Sequence, residues 1–358
     1  MLEFDHDTLG QRVLFASGKA AENLSAEVAR FGASSVMVIA GDSEQALAAE
    51  ICRGIEPALN YSDVAPHVPV EKADKARAAA QEHGIDLLVS IGGGSTTGLA
   101  KAVALTTGLP IVAVPTTYAG SEATNVWGLT EAARKTTGVD NRVLPATVIY
   151  DATSMLSLPV ELSVASGLNA LAHSIDSMWA PRADPINQAL AIEAVRALAT
   201  GLPVIKSDPA SLSGHEQTLY GAYLSAVAFA SAGSGLHHKI CHVLGGAYNL
   251  PHAQTHAVVL QYVLEYNARA AGRAADRIAS AFGSATAVEG LASLRRTLDA
   301  PTALRDYGLR EEDLEGAVEL VLPVVPASNP RPVTKDSLAA LLHAAWAGTE
   351  LTSEEAQS

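Results

Sequence analysis

The sequence of 358 residues contains only two cysteines, Cys52 and Cys241. Two cysteines cannot build a disulfide framework, so a disulfide-stabilised secreted fold is excluded and a reducing compartment is expected. The first ten residues, MLEFDHDTLG, are acidic and lack the pattern of a signal peptide. No uninterrupted apolar run reaches the length of about 18 residues that a membrane-spanning helix needs. We therefore predict a cytoplasmic protein with no membrane partner.

The chain is also poor in basic residues. Its 24 Lys and Arg stand against 38 Asp and Glu, which gives a net charge of −14. No basic run interrupts this excess, so nucleic acid and anionic membranes are excluded as expected partners, and a small ligand is expected instead. Charged residues make up only 17% and hydrophobic residues 48%, which excludes disorder and supplies a large core. The length suggests two domains or one large domain.

Strand and helix patterns differ between the two halves of the chain. The first half alternates short β-branched runs with helical stretches, the runs lying at 12–16, 35–40, 85–91 and 110–114. This alternation predicts a doubly wound parallel sheet. After Asp151 the strand-like runs almost disappear, and alanine- and leucine-rich helical stretches follow. We therefore predict an α/β domain at residues 1–155 and an all-α domain at residues 156–358.

The segment Gly235–His252, GLHHKICHVLGGAYNLPH, contains four histidines. If Leu236–Leu244 is helical, His238 and His242 lie four residues apart on one face, opposite an apolar stripe. Asn-Leu-Pro then turns the chain and brings His252 back. Three imidazoles arranged in this way indicate a converging site, although a single half-buried histidine is more often structural.

Three further features bear on this site. Gly245-Gly246 is expected to end the helix, and His237 lies off the shared face, which favours a structural role. On another predicted helix, Asn169 and His173 are four residues apart and could join the histidines. An aspartate at position 169 would make a convincing divalent-metal site, whereas asparagine offers only a neutral oxygen. Helix packing is the other explanation for Asn169.

A glycine loop follows the third strong strand and opens a helix. Its residues are Gly92, Gly93, Gly94 and Ser95. Glycines let a ligand approach the backbone, and the helix start offers free N–H groups, which suits a pyrophosphate. The loop is neither a GxGxxG fingerprint nor a P-loop, because Gly98 is followed by Leu99. A tight structural turn is the alternative.

Two other segments follow predicted strands, at the edge where open α/β sheets bind ligands. Hydroxyl groups that could hold a nicotinamide carboxamide or a ribose lie on Thr116, Thr117 and Ser121. Asp42 could bind the ribose hydroxyls and repel a 2′-phosphate, which favours NADH, or it could cap the next helix. An ordinary hydroxyl-rich loop is the alternative for the first segment.

These motifs together resemble the iron-containing, or group III, alcohol dehydrogenase family. The resemblance rests on GGGS at 92–95, PTT at 115–117, the Asn169/His173 pair and the histidine-rich segment. It implies an NAD(P)H-dependent oxidoreductase of dehydroquinate synthase-like architecture. A dinucleotide-binding α/β domain is then joined to a helical domain, with the active site in the cleft between them. The family often forms homodimers.

In that family an aspartate and three histidines bind the metal. The matching positions here are Asn169, His173, His238 and His252, and His242 matches a further active-site histidine. Gly98 replaces the aspartate of GGGSxxDxxK, whereas Lys101 is kept. Both departures, Asn169 and Gly98, are similar to what is found in one branch of the family. Members of that branch reduce the carbon–carbon double bond of 2-maleylacetate to 3-oxoadipate in aromatic-compound degradation, typically without metal. We therefore expect no metal, NADH as cofactor with NADPH possible, and a dicarboxylate substrate.

The resemblance assigns roles as follows. His242 or His173 is the proton donor, and His238 and His252 are oxyanion or carboxylate donors. Asn169, Tyr118, Lys239 and Arg331 are expected to bind substrate, and Lys135 is assigned to the cofactor. Lys239 and Arg331 could equally be solvated surface charges.

Three alternatives stay open at this point. The chain could be a metal-dependent alcohol or polyol dehydrogenase that keeps iron or zinc despite Asn169. It could be a lyase similar to dehydroquinate synthase, which uses its nucleotide only transiently. It could also be a nucleotide-binding sensor without catalytic activity.

Overall fold

The computed structural model describes residues 3–131 and 134–349, with only the backbone described for residues 134 and 135. This part of the chain forms two compact units. The first is Leu9–Leu158 with Ala210–Leu219, and the second is Pro159–Pro209 with residues 3–8 and 220–349. Helix α7 (Leu212–Ala232) therefore contributes residues to both units. Nothing in its hydrophobic pattern indicates this division.

A six-stranded, wholly parallel sheet forms the centre of the first unit, in the order β1-β8-β5-β4-β2-β3. Its strands are β1 (Arg12–Phe15), β2 (Val36–Ile39), β3 (Leu59–Tyr61), β4 (Leu87–Gly92), β5 (Ile111–Pro115) and β8 (Thr147–Tyr150). Strands β6 (Val126–Glu131) and β7 (Arg134–Val139) form a separate antiparallel pair. Strands β2, β4, β5 and β8 are buried at every position, because both sheet faces are covered.

Helices cover the two faces, namely α1 (Ala20–Phe31), α2 (Gln45–Ile51), α3 (Val70–Glu82) and α4 (Gly94–Thr107). Met37 and Val38 are adjacent in β2 and face opposite cores. Val38 packs with Leu24 of α1, and Met37 packs with Ala76 of α3 and Leu99 of α4. Strand β2 leads into α2 on one face, and its neighbour β4 leads into α4 on the other. The carboxyl ends of β2 and β4 thus form the switch point at which such sheets bind ligands.

The second unit is helical in its described part. Its helices are α5 (Val160–Ser177), α6 (Pro185–Ser207), α8 (Leu236–Tyr248), α9 (His252–Ala268), α10 (Arg273–Phe282), α11 (Ala287–Leu298), α12 (Leu314–Val321) and α13 (Lys335–Ala347), with the second part of α7. One core joins α8, α9, α12 and α13 through Leu244, Tyr262, Val318 and Leu342. The predicted fold class, a doubly wound parallel sheet followed by an all-α region, is confirmed.

Two details differ from expectation. Gly245-Gly246 does not end helix α8, which continues to Tyr248 and stops where Asn249 adopts a left-handed backbone with φ 53°. A glycine inside a helix costs only about 1 kcal/mol, which packing overrides here. Helix α6 is long and apolar enough to cross a membrane by length and composition alone, whereas no membrane-spanning helix was expected from the sequence. A single such helix is weak evidence, because core helices pass the same test.

Candidate active site

Helices α5, α8 and α9 bring six imidazoles together within the second unit. Neighbouring ring centroids lie 4.3 to 6.4 Å apart. We call this group the histidine cluster, and its members are His173, His237, His238, His242, His252 and His256. Four of these residues were singled out by the sequence, and the structure places them in one cluster.

The start of helix α8 is held by a carboxylate of α5. Gly235 has an extended backbone, φ −89° and ψ −166°, which leaves N–H groups free at the helix start. Oδ2 of Asp176 accepts from the N–H groups of Gly235 at 2.8 Å and His238 at 3.4 Å. A Cβ atom on residue 235 would lie 2.3 Å from Asp176 Oδ1, so only glycine fits this approach. The helix dipole also favours a carboxylate here.

The same carboxylate fixes the ring of His238. His238 Nδ1 lies 2.8 Å from Asp176 Oδ2, and both side chains are buried. Because this oxygen already accepts from backbone N–H groups, we assign the shared proton to Nδ1, which leaves the lone pair on Nε2. Burial raises the pKa of Asp176 to about 7, against the opposing effect of the backbone N–H groups. Burial lowers the pKa of His238 well below its usual value, so the imidazole is neutral.

His173 packs directly against His238. The two rings are stacked, with centroids 4.8 Å apart and planes 15° apart. Phe229 of α7 covers both rings, at 4.7 Å from His173 and 4.3 Å from His238. Burial lowers the pKa of His173 to about 4, so this imidazole is also neutral near pH 7. A neutral imidazole can coordinate a metal ion, but it is a weak proton donor.

Four buried polar atoms, on helices α5 and α8, have no hydrogen-bond partner within the described chain. They are Oδ1 and Nδ2 of Asn169, Nδ1 of His173 and Nε2 of His238. A buried polar atom without a partner costs about 1–3 kcal/mol, which favours a ligand that satisfies it. An amide oxygen and two neutral imidazole nitrogens suit a first-row transition metal. The residues of this first donor set, Asn169, His173 and His238, therefore fit a metal ion.

A second donor set consists of His237, Cys241 and His256. One ligand atom from each lies within 4.8 Å of the others. His237 Nε2 is 2.9 Å from His256 Nδ1 and 3.6 Å from Cys241 Sγ. Burial raises the pKa of the Cys241 thiol well above its usual value and lowers that of His237 to about 3. This set could also hold a metal ion, provided that the thiol ionises and the imidazole–imidazole hydrogen bond is given up.

The remaining two histidines are less buried. His242 is half-buried, with its ring 5.9 Å from that of His238. His252, the first residue of α9, is exposed, and its ring lies 4.3 Å from that of His256. Exposure gives these two imidazoles the access to solvent protons that the buried members lack.

The two predicted cationic substrate ligands lie in different places. Lys239 is half-buried beside His238, and its charge helps to lower the pKa of Asp176. The Arg331 guanidinium lies 4.2 Å above the ring of Tyr266. Tyr266 follows His252 by 14 residues on α9, a rise of about 21 Å. This placement does not favour substrate binding by Arg331 near His252.

In the first unit, the glycine loop joins β4 to α4 by a close-packed turn. Gly92 has φ 153°, and a Cβ atom there would lie 2.5 Å from Thr96 Oγ1. A Cβ atom on Gly93 would lie 2.8 Å from Thr117 Cγ2. Gly93, Gly94 and Ser95 are half-buried at the start of a 14-residue helix. This geometry leaves backbone N–H groups and the positive end of a helix dipole available to a pyrophosphate.

The other predicted cofactor residues surround this turn. Pro115 pairs with Gly92, and Thr116 N–H donates to the Gly92 carbonyl at 3.2 Å, so Thr116 and Thr117 follow the adjacent strand. Ser121 begins a short 3-10 helix, Ser121–Ala123, in the same connection. Asp42 is exposed after β2, on the other side of β4. Gly41 and Glu44 are the N-cap residues there, so Asp42 is not the cap that the sequence allowed.

Tyr118 and Lys135 complete the predicted residues. The Tyr118 hydroxyl is fully buried and lies 2.5 Å from His215 Nδ1, and burial raises its pKa above the usual range. Contact with a substrate would require this hydrogen bond to break, so its role stays a prediction. Lys135 lies on β7, and its side chain is outside the described residues.

The buried ammonium group of Lys101 binds backbone carbonyls of the same unit. Its Nζ donates to the carbonyls of Thr124 at 2.8 Å and Val126 at 2.9 Å. Burial lowers its pKa to about 7, against the opposing charge of Glu122. One turn earlier, a Cβ atom on Gly98 would lie 2.9 Å from Val68 Cγ2, so Val68 fills the space that an aspartate would need. Lys101 therefore ties α4 to the start of β6.

Comparison with known proteins relates this arrangement to a family. The profile described as "Iron-containing alcohol dehydrogenase" matches residues 10–152, and "Fe-containing alcohol dehydrogenase family, C-terminal" matches residues 163–346. The chain belongs to the iron-containing alcohol dehydrogenase family. As a member of this family, it is an NAD(P)H-dependent oxidoreductase.

Relatives within the family cover nearly the whole chain. The maleylacetate reductase of Pseudomonas sp. strain P51 is 42% identical over 97% of this chain and 99% of its own length. A structure of an iron-containing alcohol dehydrogenase from Corynebacterium glutamicum is 61% identical, with TM-score 0.95 and 97% of each chain covered. A maleylacetate reductase structure from Agrobacterium tumefaciens is 38% identical, with TM-score 0.91, covering 98% of this chain and 99% of its own. The resemblance stated from the sequence is confirmed.

The expectation that no metal takes part is wrong. The family is described as iron-containing, and the structure provides donor atoms that could hold a metal ion. The expectation rested on the neutral oxygen of Asn169 and on the resemblance to a branch that typically works without metal. Burial keeps the imidazoles of His173 and His238 neutral, which is the form that coordinates metals. The amide of Asn169 also keeps an oxygen donor where the aspartate was lost.

Sequence reasoning missed three residues of the site. Asp176 lies seven residues after Asn169 on the same face of α5, and this i, i+7 spacing could have revealed it. His256 follows His252 by four residues on α9, the same spacing that identified His238 and His242. His237 was given a structural role, but it bonds to His256. Only a tertiary contact between α8 and α9 shows that pairing.

Proposed function

We propose that this chain reduces the carbon–carbon double bond of 2-maleylacetate to 3-oxoadipate, with NADH as the preferred reductant. The observation that carries the proposal is the neutral amide of Asn169, buried one turn before His173 on α5, at the position that matches the family's metal-binding aspartate. The names of relatives that are 42% identical over 97% of the chain support the same reading.

The charge of the first donor set suits a substrate with two carboxylates. A carboxylate at position 169 would repel them, whereas an amide does not. The nearest buried carboxylate, Asp176, is turned towards the backbone N–H groups at the start of α8. The half-buried cation of Lys239 is on the same helix, and we assign it to a substrate carboxylate.

The cofactor would be held at the switch point of the sheet. The glycine loop, Gly92–Ser95, would hold the pyrophosphate, and the hydroxyls of Thr116, Thr117 and Ser121 would hold the ribose or carboxamide. When bound, the reduced nicotinamide would supply a hydride, and the metal ion would act as a Lewis acid towards the ketone oxygen.

The chain itself must supply a proton. Reduction of an alkene conjugated to a ketone adds a hydride to the carbon β to the ketone and a proton to the neighbouring carbon. His242 is half-buried beside His238, and we assign the proton transfer to it. His173 suits this role less, because burial lowers its pKa to about 4 and leaves it neutral. His252 is assigned to the metal or to a substrate carboxylate.

NADH preference is assigned to Asp42, which is exposed after β2 where a 2′-phosphate would meet its charge. NADPH remains a second reductant in this proposal. A homodimer and a cytoplasmic location complete it, both as expectations from the family and the composition.

An absorbance assay tests the proposed reaction. Purified enzyme, reconstituted with iron(II) or zinc(II), is mixed with NADH and maleylacetate, and the product is identified by mass spectrometry. We expect one NADH consumed for each 3-oxoadipate formed. NADH consumption without 3-oxoadipate, or no consumption at all with metal-loaded enzyme, would contradict the proposal.

A second candidate function is a metal-dependent alcohol or polyol dehydrogenase. The structure that shares 61% identity with this chain carries the name iron-containing alcohol dehydrogenase. The same enzyme preparation should be tested with NAD+ and short primary alcohols and diols. A kcat/KM for an alcohol above that for maleylacetate would favour this second function.

A further inference from the structure

The Asp176 carboxylate caps the start of helix α8 and also contacts an imidazole of the histidine cluster. Asp176 lies on the same face of α5 as Asn169 and His173, one turn further along. Its Oδ2 atom is shared between the N–H groups at the start of α8 and Nδ1 of His238. The side chain is wholly buried, and its other oxygen, Oδ1, has no hydrogen-bond partner in the described chain.

The direction of the His238 ring follows from these contacts. A neutral imidazole carries one N–H group and one lone pair. With Nδ1–H directed at Asp176, the lone pair is on Nε2, the atom without a partner in the described chain. His173 Nδ1 and the amide of Asn169 are likewise unpartnered. The carboxylate thus selects the tautomer whose free nitrogen can act as a ligand.

We propose that Asp176 is a positioning residue that fixes His238 in the Nδ1–H tautomer and thereby sets the metal affinity of the first donor set. The inference rests on metal binding by that set and not on the identity of the substrate. Gly235 is part of the device, because a Cβ atom there would meet Asp176 Oδ1 at 2.3 Å. Carboxylates behind metal-binding imidazoles typically contribute 10–100-fold to metal affinity, in order-of-magnitude terms.

The same chain contains a matched control. Asp184 is also buried, accepts from the backbone N–H groups of Ile186 and Asn187 at the start of α6, and lies 2.8 Å from His6 Nδ1. It therefore combines a helix cap with an imidazole contact, as Asp176 does. No member of the histidine cluster bonds to it among the described contacts. If Asp176 only stabilised its helix, its replacement should have the same kind of effect as replacement of Asp184, a loss of stability without a change in zinc affinity.

The test compares Asp176→Asn with Asp184→Asn in protein freed of metal. Zinc affinity is measured by competition with a chromogenic chelator, the tautomer by ¹⁵N NMR of labelled histidine, and stability by thermal unfolding. We expect both variants to lose stability. Only Asp176→Asn should weaken zinc binding, by roughly 10–100-fold, and populate the Nε2–H tautomer of His238.

Two further variants keep the test decisive if Asp176→Asn does not fold. Asp176→Glu keeps the carboxylate and should bind zinc more tightly than Gly235→Ala, in which the new methyl group displaces it. Equal zinc affinities for wild type and Asp176→Asn, or for Asp176→Glu and Gly235→Ala, would overturn the proposal. Loss of maleylacetate reduction alone would bear on the proposed function and not on this inference.

Discussion

Nε2 of His237 lies 2.9 Å from Nδ1 of His256, so two neutral imidazoles on neighbouring helices share one proton. The other nitrogens of these rings, His237 Nδ1 and His256 Nε2, have no partner in the described chain, as is the case for His173 Nδ1 and His238 Nε2 of the first donor set. A metal ion held through His237 Nε2 and His256 Nδ1 would have to displace this hydrogen bond, whereas one held by the first donor set would not.

This difference predicts which variants lose metal. His173→Ala should abolish stoichiometric metal binding, because it removes a ligand of the first set. His256→Gln should keep the metal and lose about 1–3 kcal/mol of unfolding free energy, because His237 Nε2 loses its partner. Elemental analysis and chemical denaturation measure both effects. Retention of metal by His173→Ala and its loss from His256→Gln would assign the metal to the second set.

The glycine loop predicts unequal effects of two neighbouring alanines. A methyl group on Gly93 would lie 2.8 Å from Thr117 Cγ2, whereas one on Gly94 would make an ordinary contact at 3.6 Å with Ala119. Gly93→Ala should therefore raise the KM for NADH by about tenfold or more, a loss of about 1.4 kcal/mol. Gly94→Ala is the matched control and should change KM less. Equal effects would show that the turn is not shaped around the cofactor.

The charge of Asp42 is expected to set the preference for NADH over NADPH. Asp42→Ala should raise the ratio of kcat/KM for NADPH to that for NADH by about tenfold, because the charge that repels a 2′-phosphate is removed. Glu50→Ala, on the exposed side of α2, is the control. Steady-state kinetics with both cofactors measures the ratio. An unchanged ratio would leave Asp42 as an ordinary surface residue.

Protonation of Glu27 is expected to destabilise the α/β unit in acid. Its buried carboxylate contacts Arg12, Arg30 and the Thr147 hydroxyl. Burial alone raises its pKa, but the hydrogen bonds from Arg30 and Thr147 outweigh burial, and the pKa lies below its usual value of 4.5. The stability that Glu27 contributes is thus complete above pH 4.5 and is lost as the pH falls through the lowered pKa.

The Glu27→Gln variant separates this contribution. It should lose about 1.5–3 kcal/mol of unfolding free energy at neutral pH, because a charged hydrogen-bond acceptor becomes neutral. Below pH 4.5 the difference from wild type should shrink. Denaturant titrations across the acid range measure it. A difference that is constant with pH would show that the pKa of Glu27 is not lowered by folding.

Much of the fold and part of the site could be predicted from the sequence. Periodicity placed the strands, and the spacing of His238 and His242 predicted one helix face. The i, i+7 spacing could place Asp176 on the face of Asn169, but its bond to His238 joins helices 62 residues apart, and the His237–His256 bond needs the packing of α8 against α9. Periodicity encodes neither contact. The expectation of no metal was wrong because it weighed the neutral oxygen of Asn169, whereas the neutral imidazoles that could bind a metal owe that state to burial, which the sequence does not show.

The central claim is that a neutral amide at position 169 adapts a metal-binding histidine cluster to a doubly negative substrate. The most direct measurement compares wild type with Asn169→Asp, for kcat/KM with maleylacetate and for zinc affinity. We predict that the aspartate lowers kcat/KM and raises zinc affinity, since it adds a negative charge one turn before His173. Unchanged kcat/KM together with unchanged zinc affinity would contradict the claim.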